Sequence, residues 1–162
     1  MTPAPFAIRE ARLAEDRDLF VGFVDALQRF EHAFEPDRRI DARAGADYFP
    51  VLLRQVEEND GRIFVAERDG LAVGWAVFHC HEAKNFVVEE ERRCGYVAEL
   101  FVEEAARGRG IGRALIAACE DAARARGLKR LMIGVHAANA RARRSYEAAG
   151  FSPYMLELRK YL

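Results

Sequence analysis

A glycine- and arginine-rich hexapeptide, residues 107–112, is the segment whose residue types and spacing best suit chemistry. It reads RGRGIG and lies between a predicted strand and a predicted helix. The first N–H groups of a helix have no intrahelical acceptor and the helix dipole is positive there, so anions bind well. Glycines let the main chain approach phosphate oxygens without a Cβ in the way, and arginines add positive charge. The hexapeptide therefore predicts a loop that binds a diphosphate.

The spacing of the loop excludes two other phosphate motifs. It has no GK[ST] ending, which P-loop nucleoside triphosphatases require, and its glycines do not follow the GxGxxG pattern of dinucleotide-binding folds. The remaining alternative is a glycine-rich turn that only starts a helix and binds no ligand. The elements and motifs around the loop help to decide between a binding loop and such a turn.

Apolar periodicity and turn residues predict the elements that position the loop. An amphipathic helix begins near Asp16 and ends before Pro36, and a tight hairpin turn is expected at Asp69-Gly70. Strands are predicted at 6–10, 63–67, 73–79, 96–102 and 131–135, and further helices at 44–58, 109–127 and 139–150. Residues 89–93 are expected to form a surface loop, and residues 151–162 to be strand-like. A strand, a helix and a strand in succession from 96 to 135 imply a parallel crossover.

Composition indicates one globular domain spanning residues 1–162. Hydrophobic residues make up 51% and charged residues 31% of the 162, which argues against disorder. The apolar run at 72–80 is too short for a membrane span, and no secretory signal is expected at the N-terminus. The net charge of -1 provides no basic field for nucleic acid.

Cysteine usage points to a reducing compartment. The three cysteines, Cys80, Cys94 and Cys119, are odd in number and form no CxxC pair. A cytoplasmic location is therefore expected. No metal site is expected either, because His79 and His81 share a strand face without a visible third ligand.

Two motifs resemble the signature of the GCN5-related N-acetyltransferase (GNAT) superfamily. The first is Leu100-Phe101-Val102 followed closely by R-x-x-G-x-G over residues 107–112. The second is Asn139, six residues, Tyr146-Glu147, then Gly150-Phe151. The order of elements over almost the whole chain also resembles this family. The resemblance implies an α/β fold: a mixed, mostly antiparallel central sheet with helices on both faces and a splayed parallel strand pair at the acyl-CoA site.

The resemblance also implies roles for individual residues. The loop would hold the pyrophosphate of acetyl-CoA, the main chain of Phe101 and Val102 would bind the pantetheine arm, and Asn139 would contact the cofactor. Tyr146 would act as general acid on the leaving thiolate. The loop residues so assigned are Arg107, Gly108, Arg109, Gly110, Ile111, Gly112 and Arg113.

The general base is the less defined part of the site. A free alkyl amine has a pKa near ~10.4, so it must be deprotonated before it attacks a thioester. Relatives use a glutamate on the strand before the loop, and the nearest candidate is Glu99; the alternative is that Glu99 is a solvated or salt-bridged strand residue. The two positions that carry this glutamate in relatives correspond to Tyr96 and Ala98 in this sequence. Strand alternation predicts that Ala98 faces away from Glu99.

Other polar and aromatic residues admit two interpretations each. Glu31 and His32 end the first predicted helix, where the resemblance places the acceptor groove, so they either contact substrate or form a solvated helix end. Trp75 and Phe78 are interpreted as core or groove wall rather than as a base-stacking platform.

These observations predict an acetyl-CoA-dependent N-acetyltransferase that acts on a small-molecule or peptide amine by direct attack. The alternative is a non-catalytic acyl-CoA sensor or partner-binding module that retains the loop. A nucleic-acid or ribosome-associated protein is a further rival, supported only by local arginine clusters. A homodimer is compatible with the family resemblance.

Overall fold

A five-stranded sheet organises the computed structural model, which describes residues 6–162 of the chain. The strands lie in sequence order, and each of the first three pairs is antiparallel, whereas the last pair is parallel. They are β1 (Phe6–Glu10), β2 (Arg62–Arg68), β3 (Leu71–Glu82), β4 (Arg93–Val102) and β5 (Leu131–Ile133). The predicted mixed, mostly antiparallel sheet is confirmed.

The helices of the described range lie at four places along the chain. Two of them separate β1 from β2, a short one lies between β3 and β4, a longer one joins β4 to β5, and another short one follows β5. They are α1 (Arg17–His32), α2 (Ala44–Glu58), α3 (Glu89–Arg92), α4 (Ile111–Ala125) and α5 (Ala140–Ala148), with a 3₁₀ turn at Glu104–Ala106. No helix in the described range is long and apolar enough to cross a bilayer.

Apolar clusters cover both faces of the sheet. Helices α1 and α2 pack on one face around Trp75, whose ring stacks on Phe20 with centroids 5.4 Å apart. Helix α4 packs on the other face, over Phe78 and Val97. Trp75 and Phe78 are both fully buried, so they are core residues, as the sequence predicts. Helices on both faces are thereby confirmed.

The turn between β2 and β3 follows the predicted hairpin chemistry. Asp69 and Gly70 have φ values of 52° and 75°, and two consecutive positive values are what a type I′ turn requires. Glycine adopts this backbone region without steric cost, and aspartate tolerates it better than most residues. The predicted tight hairpin is confirmed.

Three predicted elements differ in the structure. Residues 89–92 form a short helix rather than a loop, and three glutamates at its start suit the positive end of the helix dipole. Strand β5 ends at Ile133 instead of residue 135. The prediction of strand-like structure for residues 151–162 is wrong, because these residues form neither helix nor strand and lack a hydrogen-bonded neighbour in the sheet.

Candidate functional site

A groove opens where β4 and β5 separate. Their parallel pairing spans three residue pairs and stops at Val97 and Ile133, although β4 continues to Val102. The groove has a volume of about 370 Å³, within the range of small-molecule sites. Its walls come from the end of α1, from the end of β4, from the 107–113 loop, from residues 134–136 and from α5. The predicted splayed parallel pair is therefore present.

A β-bulge in β4 sets which residues face α1 and α2. Val77 pairs with Glu99 and Phe78 pairs with Val97, so Ala98 has no partner on β3. Ala98 packs against the α1 and α2 cluster, and Glu99 bonds to a side chain of α2 on the same side. The prediction that Ala98 and Glu99 face opposite sides is wrong, because an extra residue interrupts the alternation of a strand.

The glycine-rich loop presents main-chain N–H groups at the groove. Gly108 and Gly110 have φ values of 77° and 83°, and Gly110 directly precedes α4. Added Cβ atoms at these two positions would meet nothing within 4 Å. Within residues 6–162, the N–H groups of residues 108–113 have no protein acceptor. These donors at a helix start fit a diphosphate.

Arg107 fastens the loop to the end of β4. Its Nε donates a hydrogen bond of 2.8 Å to the carbonyl oxygen of Val102. Its guanidinium lies 4.8 Å from the ring centroid of Phe30 and 5.7 Å from that of Phe101. Arg107 thus lines the groove with its charge over two aromatic faces. It also occupies the carbonyl of Val102, one of the two residues predicted to bind the pantetheine arm.

Tyr146 projects from α5 into the groove. Its ring centroid lies 6.1 Å from that of Phe151, the residue that follows the helix-ending Gly150. Burial raises the pKa of Tyr146 to about 12, with further contributions from the negative charges of Glu31 and Glu99. The phenol therefore keeps its proton over the whole physiological pH range.

Glu99 does not line the groove and is hydrogen-bonded to a side chain of α2. The hydroxyl of Tyr48 donates to Glu99 Oε1 over 2.6 Å. Burial raises the pKa of Glu99 to about 7; the bond from Tyr48 lowers it, and the charge of Glu31 raises it. A carboxyl with this pKa exchanges its proton near neutral pH, as a general base must.

Glu31 lines the groove from the end of α1 as part of an ionic cluster. Its Oε2 lies 3.4 Å from Arg38 Nε and 3.3 Å from His136 Nε2. His136 lines the groove as well. His32, predicted beside Glu31, instead places its Nδ1 2.8 Å from the carbonyl oxygen of Arg38 and does not line the groove.

Asn139 caps α5 at the rim of the groove. Its Oδ1 accepts a hydrogen bond of 3.0 Å from the N–H of Ala142, and the residue lines the groove. The predicted N-cap is confirmed, and so is the left-handed Gly150 with a φ of 95° after the helix. Asn139 therefore holds in place the helix that carries Tyr146.

Replacing Asn139 should show the energetic value of this cap. We expect Asn139→Ala to lower the free energy of unfolding by about 1 kcal/mol, because an N–H of the first turn loses its acceptor. Asn139→Ser keeps a side-chain acceptor and is expected to stay close to wild type. Urea denaturation measures both variants; equal stability of the alanine variant and wild type would contradict the assignment.

Most of the predicted site residues meet at the groove. Arg109 is exposed, and neither Arg109 nor Glu99 lines the groove. The sequence prediction missed Tyr48, Arg38 and His136. Tyr48 could have been found, because a tyrosine on the apolar face of a predicted helix needs a hydrogen-bond partner for its hydroxyl. The predicted residues that line the groove are Glu31, Phe101, Val102, Arg107, Gly108, Gly110, Ile111, Gly112, Arg113, Asn139 and Tyr146.

Residues 14–151 match the Acetyltransferase (GNAT) family. The chain belongs to this family. It is 38% identical over 133 residues to an uncharacterised N-acetyltransferase of Archaeoglobus fulgidus, covering 82% of this chain and 84% of that protein. A second uncharacterised N-acetyltransferase, from Methanocaldococcus jannaschii, is 38% identical over 69 residues, which are 43% of this chain and 28% of that one.

Solved structures share the fold of this GNAT protein. A variant of a Bacillus halodurans protein superposes with a TM-score of 0.80 at 19% identity, covering 96% of this chain and 99% of that one. An aminoglycoside N-acetyltransferase solved in complex with CoA superposes with a TM-score of 0.68 at 19% identity, covering 96% and 100%. The resemblance read from the two sequence motifs is confirmed, and so is the acyltransferase class that the family defines.

Proposed function

We propose that this protein transfers an acetyl group from acetyl-CoA to a primary amine by direct attack of that amine. The observation that carries the proposal is a groove that brings a loop of free N–H donors to Tyr146, with Glu99 close by on β4. Tyr146, with a pKa of about 12, lines the groove, and Glu99, with a pKa of about 7, does not line it but lies near enough for its charge to contribute to the raised pKa of Tyr146. Two titratable groups whose environments separate their pKa values are typical of an acid and base pair.

The loop and its surroundings suit the binding of the acyl donor. Acetyl-CoA bound there supplies the thioester carbonyl that an amine attacks. The N–H groups of residues 108–113 would hold its pyrophosphate, and Arg113 and Arg141, which also line the groove, would add positive charge. Phe101 and Asn139 would orient the donor from the strand and helix walls.

Glu99 would remove a proton from the incoming ammonium group. Its Oε1 accepts the hydrogen bond from Tyr48, which fixes the carboxylate and leaves Oε2 to accept the proton directly or through water. Glu31, which lines the groove, would bind the cationic acceptor before its deprotonation. The predicted role of His32 as an acceptor-binding residue is less well supported, since its ring nitrogen lies against the Arg38 carbonyl.

Tyr146 would donate its phenolic proton on the opposite side of the reaction. Its raised pKa keeps the proton on Oη until a more basic group develops beside it. The phenol lies at the groove, on a helix fixed by the Asn139 cap.

Direct attack is favoured over a covalent enzyme intermediate by the state of the cysteines. Cys80, Cys94 and Cys119 are buried, and none of them lines the groove. Burial raises the pKa of Cys119 to about 12 and also raises that of Cys94. Thiols that stay protonated are poor nucleophiles. Free, buried thiols also agree with the proposed cytoplasmic location.

The role of Glu99 predicts a specific pH dependence. A base must be deprotonated, so kcat/KM should rise with pH through about 7 and fall about tenfold per pH unit below it. We expect Glu99→Gln to lose this limb together with most of the activity. Steady-state rates between pH 5 and 9 with one amine measure it. A limb near 7 that persists in Glu99→Gln would assign the base elsewhere, and His136, which lines the groove, would be the next candidate to replace.

One assay separates the enzyme from a non-catalytic acyl-CoA sensor. Release of free thiol from acetyl-CoA would be followed with amino acids, peptides, polyamines and aminoglycosides as acceptors, and binding would be measured in parallel by calorimetry. Turnover with at least one amine supports the proposal. Tight binding without turnover on the whole panel would favour the sensor.

A further inference from the structure

Arg38, in the segment between α1 and α2, carries a charge that no carboxylate of residues 6–162 binds with good geometry. Its Nε lies 3.4 Å from Glu31 Oε2 and its Nη1 lies 3.3 Å from Asp37 Oδ1, distances that are long for charge-assisted hydrogen bonds. Asp37 already accepts a hydrogen bond of 3.2 Å from Arg159. Among these residues the guanidinium has hydrogen-bond geometry only toward Nε2 of His136, over 3.4 Å. Arg38 therefore lacks an anion that fits its donors.

Other arginines of the chain form well-aligned pairs with carboxylates. Arg39, the next residue, donates from Nε and Nη2 to the two oxygens of Asp41 over 2.8 and 3.0 Å. Arg126 binds Asp60 in the same way, also over 2.8 and 3.0 Å. A guanidinium that is paired with both oxygens of a carboxylate has few donors left for a ligand. The side chain of Arg38 is 35% exposed and keeps its donors available.

Arg38 lies beside the groove and close to the proposed base. Two of the residues that it contacts, Glu31 and His136, line the groove. Burial raises the pKa values of Tyr48 and Glu99, and the charge of Arg38 partly lowers both of them. The guanidinium is therefore within electrostatic range of the carboxylate to which we assign deprotonation of the acceptor.

Glu31 and Arg38 together offer both signs of charge to a ligand. A plain amine would give Glu31 a partner, but Arg38 would remain without an anion. A ligand with one ammonium and one carboxylate group supplies a partner for each sign and adds no net charge. Because the charged atoms of Glu31 and Arg38 are only 3.4 Å apart, the two charged groups of that ligand must also lie close together. An α-amino acid, whose amine and carboxylate share one carbon atom, has this arrangement.

The size of the acceptor is limited by the same residues. Glu31 lies near the end of α1, His136 lies three residues beyond β5, and their side chains meet over 3.3 Å. Two walls of the groove are therefore bridged here, which favours a compact acceptor over the terminus of a folded protein. In a peptide, moreover, the N-terminal amine is followed by an amide, which offers Arg38 no negative charge.

We propose that the acceptor is a free α-amino acid whose carboxylate binds Arg38 while its amino group faces Glu99. Glu31 would hold the ammonium group until Glu99 takes a proton from it. The amine nitrogen then bonds to the acetyl carbon, the carbon–sulfur bond breaks, and the leaving thiolate takes the proton of Tyr146. The carboxylate of the amino acid stays on Arg38 throughout and sets the direction of the amine. The inference rests on the proposed acetyl transfer.

Kinetics with amino acids and their α-carboxamides test this acceptor class. The carboxamide keeps the amine and removes the negative charge. For the best of the standard amino acids, kcat/KM from thiol release should exceed that of its carboxamide by about 100-fold or more, because a charged hydrogen-bonding partner of Arg38 is lost. Arg38→Gln should bring this ratio close to one by raising the KM of the amino acid. Arg38→Lys keeps the charge without the planar fork and should retain only part of the ratio.

Arg39→Gln is the matched control for these variants. It removes the neighbouring guanidinium, which is bonded to Asp41 and Asp47 and does not line the groove, so the full preference for the amino acid should remain. A preference that survives in Arg38→Gln overturns the role of Arg38. Wild type that turns over carboxamides as well as amino acids overturns the acceptor class, whether or not Arg38→Gln folds, and leaves acetyl transfer itself intact.

Binding without chemistry separates a failure of this inference from a failure of acetyl transfer. Calorimetry on protein saturated with CoA should give a heat signal for the best amino acid, but not for its carboxamide and not with Arg38→Gln. If no amine is turned over and the amino acid still binds in this Arg38-dependent way, the transfer proposal fails and the amino-acid site stands. If none of the standard amino acids binds, the inference is overturned.

Discussion

Tyr146→Phe should lower kcat for acetyl transfer by about 100-fold or more while leaving the KM for acetyl-CoA within about twofold of wild type. General acid catalysis contributes ~10² to 10⁴ to a rate, and the variant removes only the hydroxyl that carries the proton. The ring stays beside Phe151, so the wall of the groove is preserved. Steady-state kinetics of thiol release with one amine acceptor measure both constants.

Tyr161→Phe is the matched control for this variant. It deletes the same hydroxyl from a tyrosine that is 78% exposed and does not line the groove, and it should leave kcat unchanged. If Tyr146→Phe retained wild-type kcat, the leaving group would have to be protonated by another donor. A loss confined to KM would instead indicate that the hydroxyl only binds substrate.

Gly110→Asp should weaken acetyl-CoA binding by on the order of 100-fold or more, enough to remove the heat signal in calorimetry. The carboxylate would lie at the start of α4, among the N–H donors that fit phosphate, and like charges would meet there. The fold should survive: an added Cβ has open space, aspartate tolerates a positive φ, and an acidic side chain suits a helix start.

Two controls separate charge from backbone strain in this experiment. Gly110→Asn has the same shape and the same positive φ without the charge, so it should bind considerably better than Gly110→Asp. Gly127→Asp places the same carboxylate at a glycine with a φ of 68° and open space, just after the other end of α4, and should bind as wild type does. Equal binding by Gly110→Asp and wild type would mean that the loop does not hold the diphosphate.

The two variants together also distinguish the enzyme from the sensor. An enzyme loses turnover in Tyr146→Phe and loses binding in Gly110→Asp. A sensor would lose binding in Gly110→Asp but would give no turnover for Tyr146→Phe to reduce. The roles of acid and donor-binding loop are therefore testable independently of the acceptor.

Local chemistry let the sequence predict the loop, the caps and most elements. The left-handed Gly150 and the Asn139 cap follow from rules that act within a few residues. The Asp69-Gly70 turn obeys the same kind of rule. The apolar periodicities of α1, α2 and α4 each reflect a single buried face, so they are also visible in one stretch of sequence.

What only the tertiary structure decided depends on residues far apart in the chain. The bulge at Ala98 arises from the register between β3 and β4. Because of it, Ala98 and Glu99 face the same side of the sheet, although the sequence predicted opposite sides. The pKa of Glu99 is raised by burial and lowered in part by the hydrogen bond from Tyr48, which lies 51 residues away in sequence.

The sequence alone determined the family, the glycine-rich loop that we propose binds the diphosphate, and the proposed acid, because each is encoded by a short motif whose physics is local. The tertiary structure decided that Glu31 lines the groove whereas Glu99 does not, that Arg38 and His136 join Glu31, and that residues 151–162 form no strand of the described sheet. Burial, electrostatic coupling and strand pairing are properties of packed neighbours. They become defined only when distant segments meet.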